Sequence, residues 1–143
     1  MIVIDANILL HAYDRSSPRH DPASRWLQAT IDGTDDVGLA LVTVLAFVRL
    51  TTDPRVYQVP METGRAIGLV DSWLRRTNVQ LIGPTDRHWA TIAGLAAAGQ
   101  ARGPLVMDAH LAALTIEHGA TLATTDRDFK RFDGLRTIDP TTA

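Results

Sequence analysis

A chain of 143 residues, 45% hydrophobic and 21% charged, can bury one core but not two, so a single domain spanning 1–143 is expected. The absence of cysteine excludes disulfides and thiolate metal sites, and no apolar run nears the roughly 18 residues that a membrane span needs. The formal net charge of −2 shows no bulk attraction for nucleic acid, and the opening Met1-Ile2-Val3-Ile4-Asp5 lacks the basic head and long apolar middle of a signal peptide, so a soluble, cytoplasmic protein is expected.

In chain order, Met1 to Ile4 is a short apolar run stopped by Asp5, as a buried strand would be. Asn7 to Tyr13 reads as a helix, and Asp21-Pro22 as an N-cap followed by proline at the first position of a second helix through Trp26 and Leu27. A third helix carries Val44, Leu45, Phe47, Val48 and Leu50 and stops before Asp53-Pro54. Glu62 to Arg76 has Ile67, Val70 and Leu74 at helical spacing, and Val79 to Ile82 reads as a strand. Thr85 is placed to cap a helix with Trp89, Ile92 and Leu95 that ends at Gly99. Leu105 to His118 is a helix closed by Gly119 in the left-handed C′ position. Ala120 to Thr124 is a strand ending against Asp126, a short helix covers Asp128 to Phe132, and Arg136 to Ile138 is a last strand. Strands alternating with helices predict an α/β fold with a mostly parallel sheet flanked by helices on both faces.

In such sheets ligands bind beyond the carboxyl ends of the strands, where Asp5 and Asp126 fall. Asp108 sits in the first turn of its helix, at the border of an apolar face made by Met107, Leu111 and Leu114. Each acid alone has a plain explanation: Asp5 and Asp126 as caps, Asp108 and Asp128 as first-turn residues favoured by the helix dipole. Gathered at one crevice, however, several carboxylates repel one another unless a cation neutralises them. An oxygen-only donor set points to a hard ion, Mg2+ or Mn2+.

Four stretches carry a family resemblance. Asp5-Ala6-Asn7-Ile8-Leu9-Leu10 resembles the D-x-N-x-L-L opening of PIN domains, and Asp108-Ala109-His110-Leu111-Ala112-Ala113 resembles their D-A-x-L-A-A helix. Gly119 to Phe129 resembles their G-A-x-L-x-T-x-D-x-D-F ending, and Phe47 to Val56 resembles a segment of mycobacterial-type VapC toxins. The resemblance runs in order over nearly the whole chain. It implies a PIN-like three-layer fold and a metal-dependent endoribonuclease toxin, homodimeric and neutralised by a VapB-type antitoxin. Residue by residue it implies metal binding by Asp5, Asp108 and Asp126, a fourth acid at Asp128, and an ordering role for Asn7. The family's glutamate on the third helix is here Ala46. Glu62 and Glu117, the only glutamates, do not replace it: Glu117 lies nine residues after Asp108, on the opposite side of the same helix. The alternative is therefore a catalytically weak or inactive PIN-domain protein that binds RNA or an antitoxin. A haloacid-dehalogenase-like phosphohydrolase is a third reading, opposed by Asn7 where a D-x-D opening needs an acid.

Arg49, one turn beyond Ala46, and Arg102, in the Gly99–Pro104 loop, are candidate contacts to RNA phosphate, with solvated or salt-bridged roles as the plainer reading of each. Trp26, Trp73 and Trp89 fit core positions, and His110 and His118 fit the surface. His11, His20 and His88 form no zinc motif, and there is no nucleotide phosphate loop. No RNA sequence preference is legible.

Overall fold

The computed structural model describes residues 1–142. The strands are β1 (Ile2–Ile4), β2 (Val37–Ala40), β3 (Val79–Ile82), β4 (Thr121–Ala123) and β5 (Arg136–Ile138). The helices are α1 (Ala6–Tyr13), α2 (His20–Ile31), α3 (Leu41–Thr51), α4 (Thr63–Leu74), α5 (His88–Ala98) and α6 (Leu105–Glu117), with a 3-10 segment at Arg127–Arg131. All strand pairs are parallel, in the order β3-β2-β1-β4-β5. The chain adds strands to one side of β1 and then crosses to the other, so the order reverses around β1.

Three layers follow from strand alternation. Ile4, Val37, Leu39, Val79 and Ala123 point to one face and pack with α1 to α4 around Phe47 and Trp73. Their neighbours Val3, Ala40, Ile82 and Leu122 point to the other and pack with α6, Phe129 and Phe132. On the first face Tyr13, Phe47 and Trp73 form an aromatic cluster with centroids 5.1 to 5.9 Å apart. Both faces are covered, as an all-parallel sheet requires.

Strand β2 is absent from the sequence reading. Val37-Gly38-Leu39-Ala40 is buried throughout and so shows no alternation, and it runs without a break into the apolar start of α3. Glycine also weakens the strand signal, yet position 38 needs it: a Cβ there would meet Ile82 Cγ2 and Met1 Sδ at 3.1 Å.

Several local expectations are corrected. Asp21 is not the N-cap of α2; the helix begins at His20 after Arg19, with no side-chain cap. A Ser17 turn sets the entry instead, its Oγ accepting from Arg19 N. Thr85 does not cap α5 directly, since Arg87 holds that position; its Oγ accepts from Arg87 N and donates to Glu117. Trp73 is core and Trp26 packs against it, whereas Trp89 is 78% exposed. Met107 is also exposed; α6 buries Ala109, Leu111, Ala112, Ala113, Leu114 and Thr115, a face centred nearer Asp108 than the one expected. His110 and His118 are half-buried rather than free on the surface. His118 bonds Gly83 O, and His110 bonds His88, which in turn pairs with Glu117 at 2.5 Å. Glu117 is thus spent on clamping α5 to α6. Gly119 has the expected left-handed backbone, with φ of 63°.

Candidate metal centre

Reversal of the strand order around β1 leaves a crevice between the carboxyl ends of β1 and β4, where connections depart to opposite sides of the sheet. The residues that end those strands line it. Asp5 N–H bonds Ala123 O at 3.0 Å, tying the end of β1 to the end of β4. Asp5 Oδ1 accepts from Ala6 N at 2.7 Å, so the acid does cap α1, but Oδ2 accepts from Thr124 Oγ1 at 2.8 Å. The same Thr124 oxygen accepts from Asp126 N at 3.0 Å and from Asn7 Nδ2 at 3.3 Å. Asn7 Oδ1 accepts from Thr125 N at 3.3 Å. One buried hydroxyl therefore joins Asp5, Asn7 and the backbone of Asp126.

Asp126 also caps the 3-10 segment, its Oδ1 accepting from Asp128 N at 2.8 Å. Asp128 is exposed beside it. Asp108 reaches the group from α6. Its carboxyl is pushed up from 3.8 to about 6 by burial and then by the charges of Asp126, Asp5 and Asp128, with Arg131 opposing. The Asp5 carboxyl is also raised, by burial first and then by Asp126, against the hydrogen bonds of Thr124 and Ala6. Four of the five acid and amide candidates thus share one electrostatic neighbourhood, and Asn7 is bonded into it. Arg49 stands apart: it is exposed on the last turn of α3 and its charge acts on Asp53. Arg102 is exposed in the loop leading to α6. A groove of about 580 Å3 between the end of α1 and the α3–α4 loop contains none of these acids.

Two residues escape the sequence reading. Thr124 reads there only as the end of a strand, although a threonine two residues before an acid is a recognisable local turn signal. Arg131 donates to Gly99 O at 3.0 Å and to Asp128 O at 3.2 Å, which places a cation within reach of Asp108. The Arg131–Gly99 bond joins segments 32 residues apart and has no local signature.

The donor set suits a hard cation: carboxylates raised by burial and then by mutual repulsion, one amide, one hydroxyl, and no sulfur. Among the described residues no three acidic or histidine side chains are drawn up as a closed cage. Mg2+ does not require one, because it keeps several waters and takes one or two carboxylates directly.

The raised acids have a consequence for stability without metal. A carboxyl whose folded pKa exceeds its unfolded value stabilises the fold only while protonated, so its contribution is lost as pH rises from about 4 through about 6. The Asp108 rise corresponds to at most ~3 kcal/mol, which its partial exposure reduces to about 1 kcal/mol. In chelator, Asp108→Asn should therefore raise the melting temperature by about 3 °C at pH 7.5 and leave it unchanged at pH 4. Equal shifts at both pH values would show that Asp108 is not in a repulsive cluster.

A parallel sheet with a carboxylate crevice at its switch point defines the class, an α/β protein with acids gathered at the strand ends. Residues 2–135 match the PIN domain family. The chain is 41% identical over 140 residues to ribonuclease VapC37 of Mycobacterium tuberculosis, covering 98% of this chain and 97% of that protein. It is 36% identical to ribonuclease VapC33 of the same organism, covering 98% of each. The solved structure of VapBC-1 from nontypeable Haemophilus influenzae has the same fold, with a TM-score of 0.71 at 18% identity over 99% of this chain and 100% of that one. The chain belongs to the PIN-domain family and stands among its VapC ribonucleases. Membership removes the haloacid-dehalogenase-like reading. Ribonucleases of this kind are metal-dependent. No helix among the described residues is long and apolar enough to cross a membrane.

Proposed function

We propose that this protein is the toxin of a cytoplasmic toxin–antitoxin pair, an endoribonuclease that uses Mg2+ or Mn2+ and is neutralised by a VapB-type antitoxin. The observation that carries this reading is the coupling of Asp5, Asp108 and Asp126 at the switch point of the sheet. These three would hold the ion, with Asp128 as a fourth acid. When bound, the ion supplies neutralisation of charge on the phosphate oxygens and makes a neighbouring water more acidic. Thr124 and Ala6 hold both oxygens of Asp5 in place. Asn7 fixes the Thr124–Thr125 corner. Asp108, raised to about 6, is mostly ionised at neutral pH and free to exchange its remaining proton for the cation. Cleavage of structured RNA with added Mg2+ or Mn2+, abolished by chelator and by an antitoxin encoded beside the toxin, tests the proposal; full cleavage in excess chelator would sink it.

The antitoxin reading rests on the family, whose solved Haemophilus relative is a VapBC complex. An antitoxin arginine entering the acid crevice would pair with its carboxylates in a fork.

Ala46 is the observation that favours the weaker alternative, a protein that binds but barely cuts. It is half-buried on α3, one turn after Val42, which packs against the core patch that includes Ala109 of α6. A longer side chain at position 46 would therefore start from the side of α3 that carries Val42. Ala46→Glu should tighten Mg2+ binding in calorimetry from millimolar toward micromolar, and Asp128→Ala should weaken it further. Unchanged affinity in both would place neither residue at the ion.

A homodimer is proposed as well, and α4 offers it little apolar surface. Val70 is buried and Leu74 packs on the core, leaving only Ile67 exposed there. The uncovered apolar side chains that could meet a second copy are Leu41 and Leu45 of α3, Trp89 of α5, and Val106 and Met107 of α6, all 43% to 78% exposed. Light scattering should give twice the chain mass, and Leu45→Glu should halve it; a wild-type monomer at high concentration would end the idea.

A further inference from the structure

A second cleft, of about 260 Å3, opens beside the acid crevice at the carboxyl ends of β4 and β5. Asp126 forms the wall it shares with the crevice, and Arg127, Lys130, Thr125, Thr137 and Thr142 line the rest. In a 3-10 helix, side chains three apart eclipse one another, so Arg127 and Lys130 stand one above the other on the side facing this cleft. Asp128 and Arg131 occupy a different side, where Arg131 reaches Gly99 and acts on Asp108.

The two cleft cations are uncommitted. Among the described residues neither the Arg127 nor the Lys130 side chain has a hydrogen-bond or ion-pair partner, and Lys130 is the only lysine in the chain. The other acid lining the cleft, Asp139, already accepts from Thr141 N at 2.9 Å and from its hydroxyl at 2.6 Å. Two free cations stacked beside an anionic metal centre fit an anion that continues from that centre. Among the described residues no aromatic side chain lines the cleft, so it offers no platform for a base. Its volume falls below the ~300 Å3 of small-molecule pockets, enough for one backbone unit. Threonine hydroxyls suit ribose and phosphate oxygens, and the 2′-hydroxyl is what marks a sugar as RNA.

Resting on the ribonuclease reading, we propose that this cleft seats the phosphate and ribose adjoining the scissile phosphodiester. Arg127 and Lys130 neutralise that phosphate, and the threonine hydroxyls meet the sugar. The strand passes from the acid crevice over Asp126 to the β4–β5 edge, and because the binding is to the backbone it adds affinity without reading sequence.

The test uses the full-length protein and short single-stranded RNAs. Arg127→Ala with Lys130→Ala should raise KM about tenfold or more, as removal of a charge-assisted hydrogen bond does, with kcat within about twofold. The dependence of log(1/KM) on log salt should flatten by about 0.7 for each phosphate no longer neutralised. The weakening should be equal across RNA sequences. Lys130→Arg should retain wild-type KM, and Arg25→Ala, exposed on α2, should change nothing. An unchanged KM and salt slope in the double variant overturns the proposal, as does a fall in kcat at constant KM. Fluorescence anisotropy of Asp108→Asn protein with the same RNAs, with and without the double change, reads the cleft without cleavage. Absence of cleavage by the wild type overturns the ribonuclease reading, whereas equal RNA affinity with and without the two cations overturns this one.

Discussion

Asp5→Asn and Asp108→Asn should each lower metal-dependent RNA cleavage by at least about a hundredfold while the fold persists. Removing a group that merely supports a metal ligand costs 10–100-fold, and these two side chains would be ligands themselves. Folding should survive because asparagine caps a helix as well as aspartate does, so Asp5→Asn keeps the Ala6 hydrogen bond. Asp108→Asn relieves repulsion from Asp126, Asp5 and Asp128. The decisive measurement pairs single-turnover cleavage with calorimetric Mg2+ titration and circular dichroism. Folded variants that cut at the wild-type rate would remove the acid crevice from the mechanism. Abolished cleavage with unchanged Mg2+ affinity would instead assign the acids to the substrate step.

The second large effect is expected at Thr124, a buried residue with no charge. Its hydroxyl donates to Asp5 Oδ2 and accepts from Asp126 N and Asn7 Nδ2. Thr124→Val keeps the shape and removes all three bonds. The Asp126 N–H then lacks its acceptor, at a cost of about 1–2 kcal/mol. Asp5 and Asp126 are also deprived of their common anchor, at a cost of about 10–100-fold in activity or metal affinity. Thr124→Ser should behave as the wild type. Thermal melting together with cleavage separates the two consequences: full activity in Thr124→Val would mean that Asp5 and Asp126 are held well enough by their backbone bonds alone.

Local chemistry made much of the fold legible. Gly119 could be read as a helix stop because a left-handed C′ residue leaves its mark at one position, and β1, β3 and β4 because each is a short, mostly apolar run ended by a polar residue or a turn. Strand β2 was not legible, since burial on both faces erases alternation and α3 follows without a break. The rotation of α6 was misjudged for a related reason: Met107 and Ala112 look alike to a helical wheel, and only packing against the sheet decides which is covered. Trp89 shows the same limit, because hydrophobicity says what a side chain favours and not whether a neighbour is present to cover it.

From its residues alone this chain is an α/β protein with acids at strand ends and an oxygen-only donor set, and its motifs name the PIN family. Those properties are local or nearly so: capping, periodicity and residue chemistry act over a few positions. Only the tertiary structure decided that Thr124 joins Asp5 to Asp126, that the Arg131 charge acts on Asp108, that Glu117 is committed to His88, and that Arg127 and Lys130 face a second cleft. Each depends on which segments the parallel sheet brings together. In β3-β2-β1-β4-β5 order, residues 119 positions apart come within hydrogen-bonding distance, and no pattern along the chain encodes a neighbour that the crossover supplies.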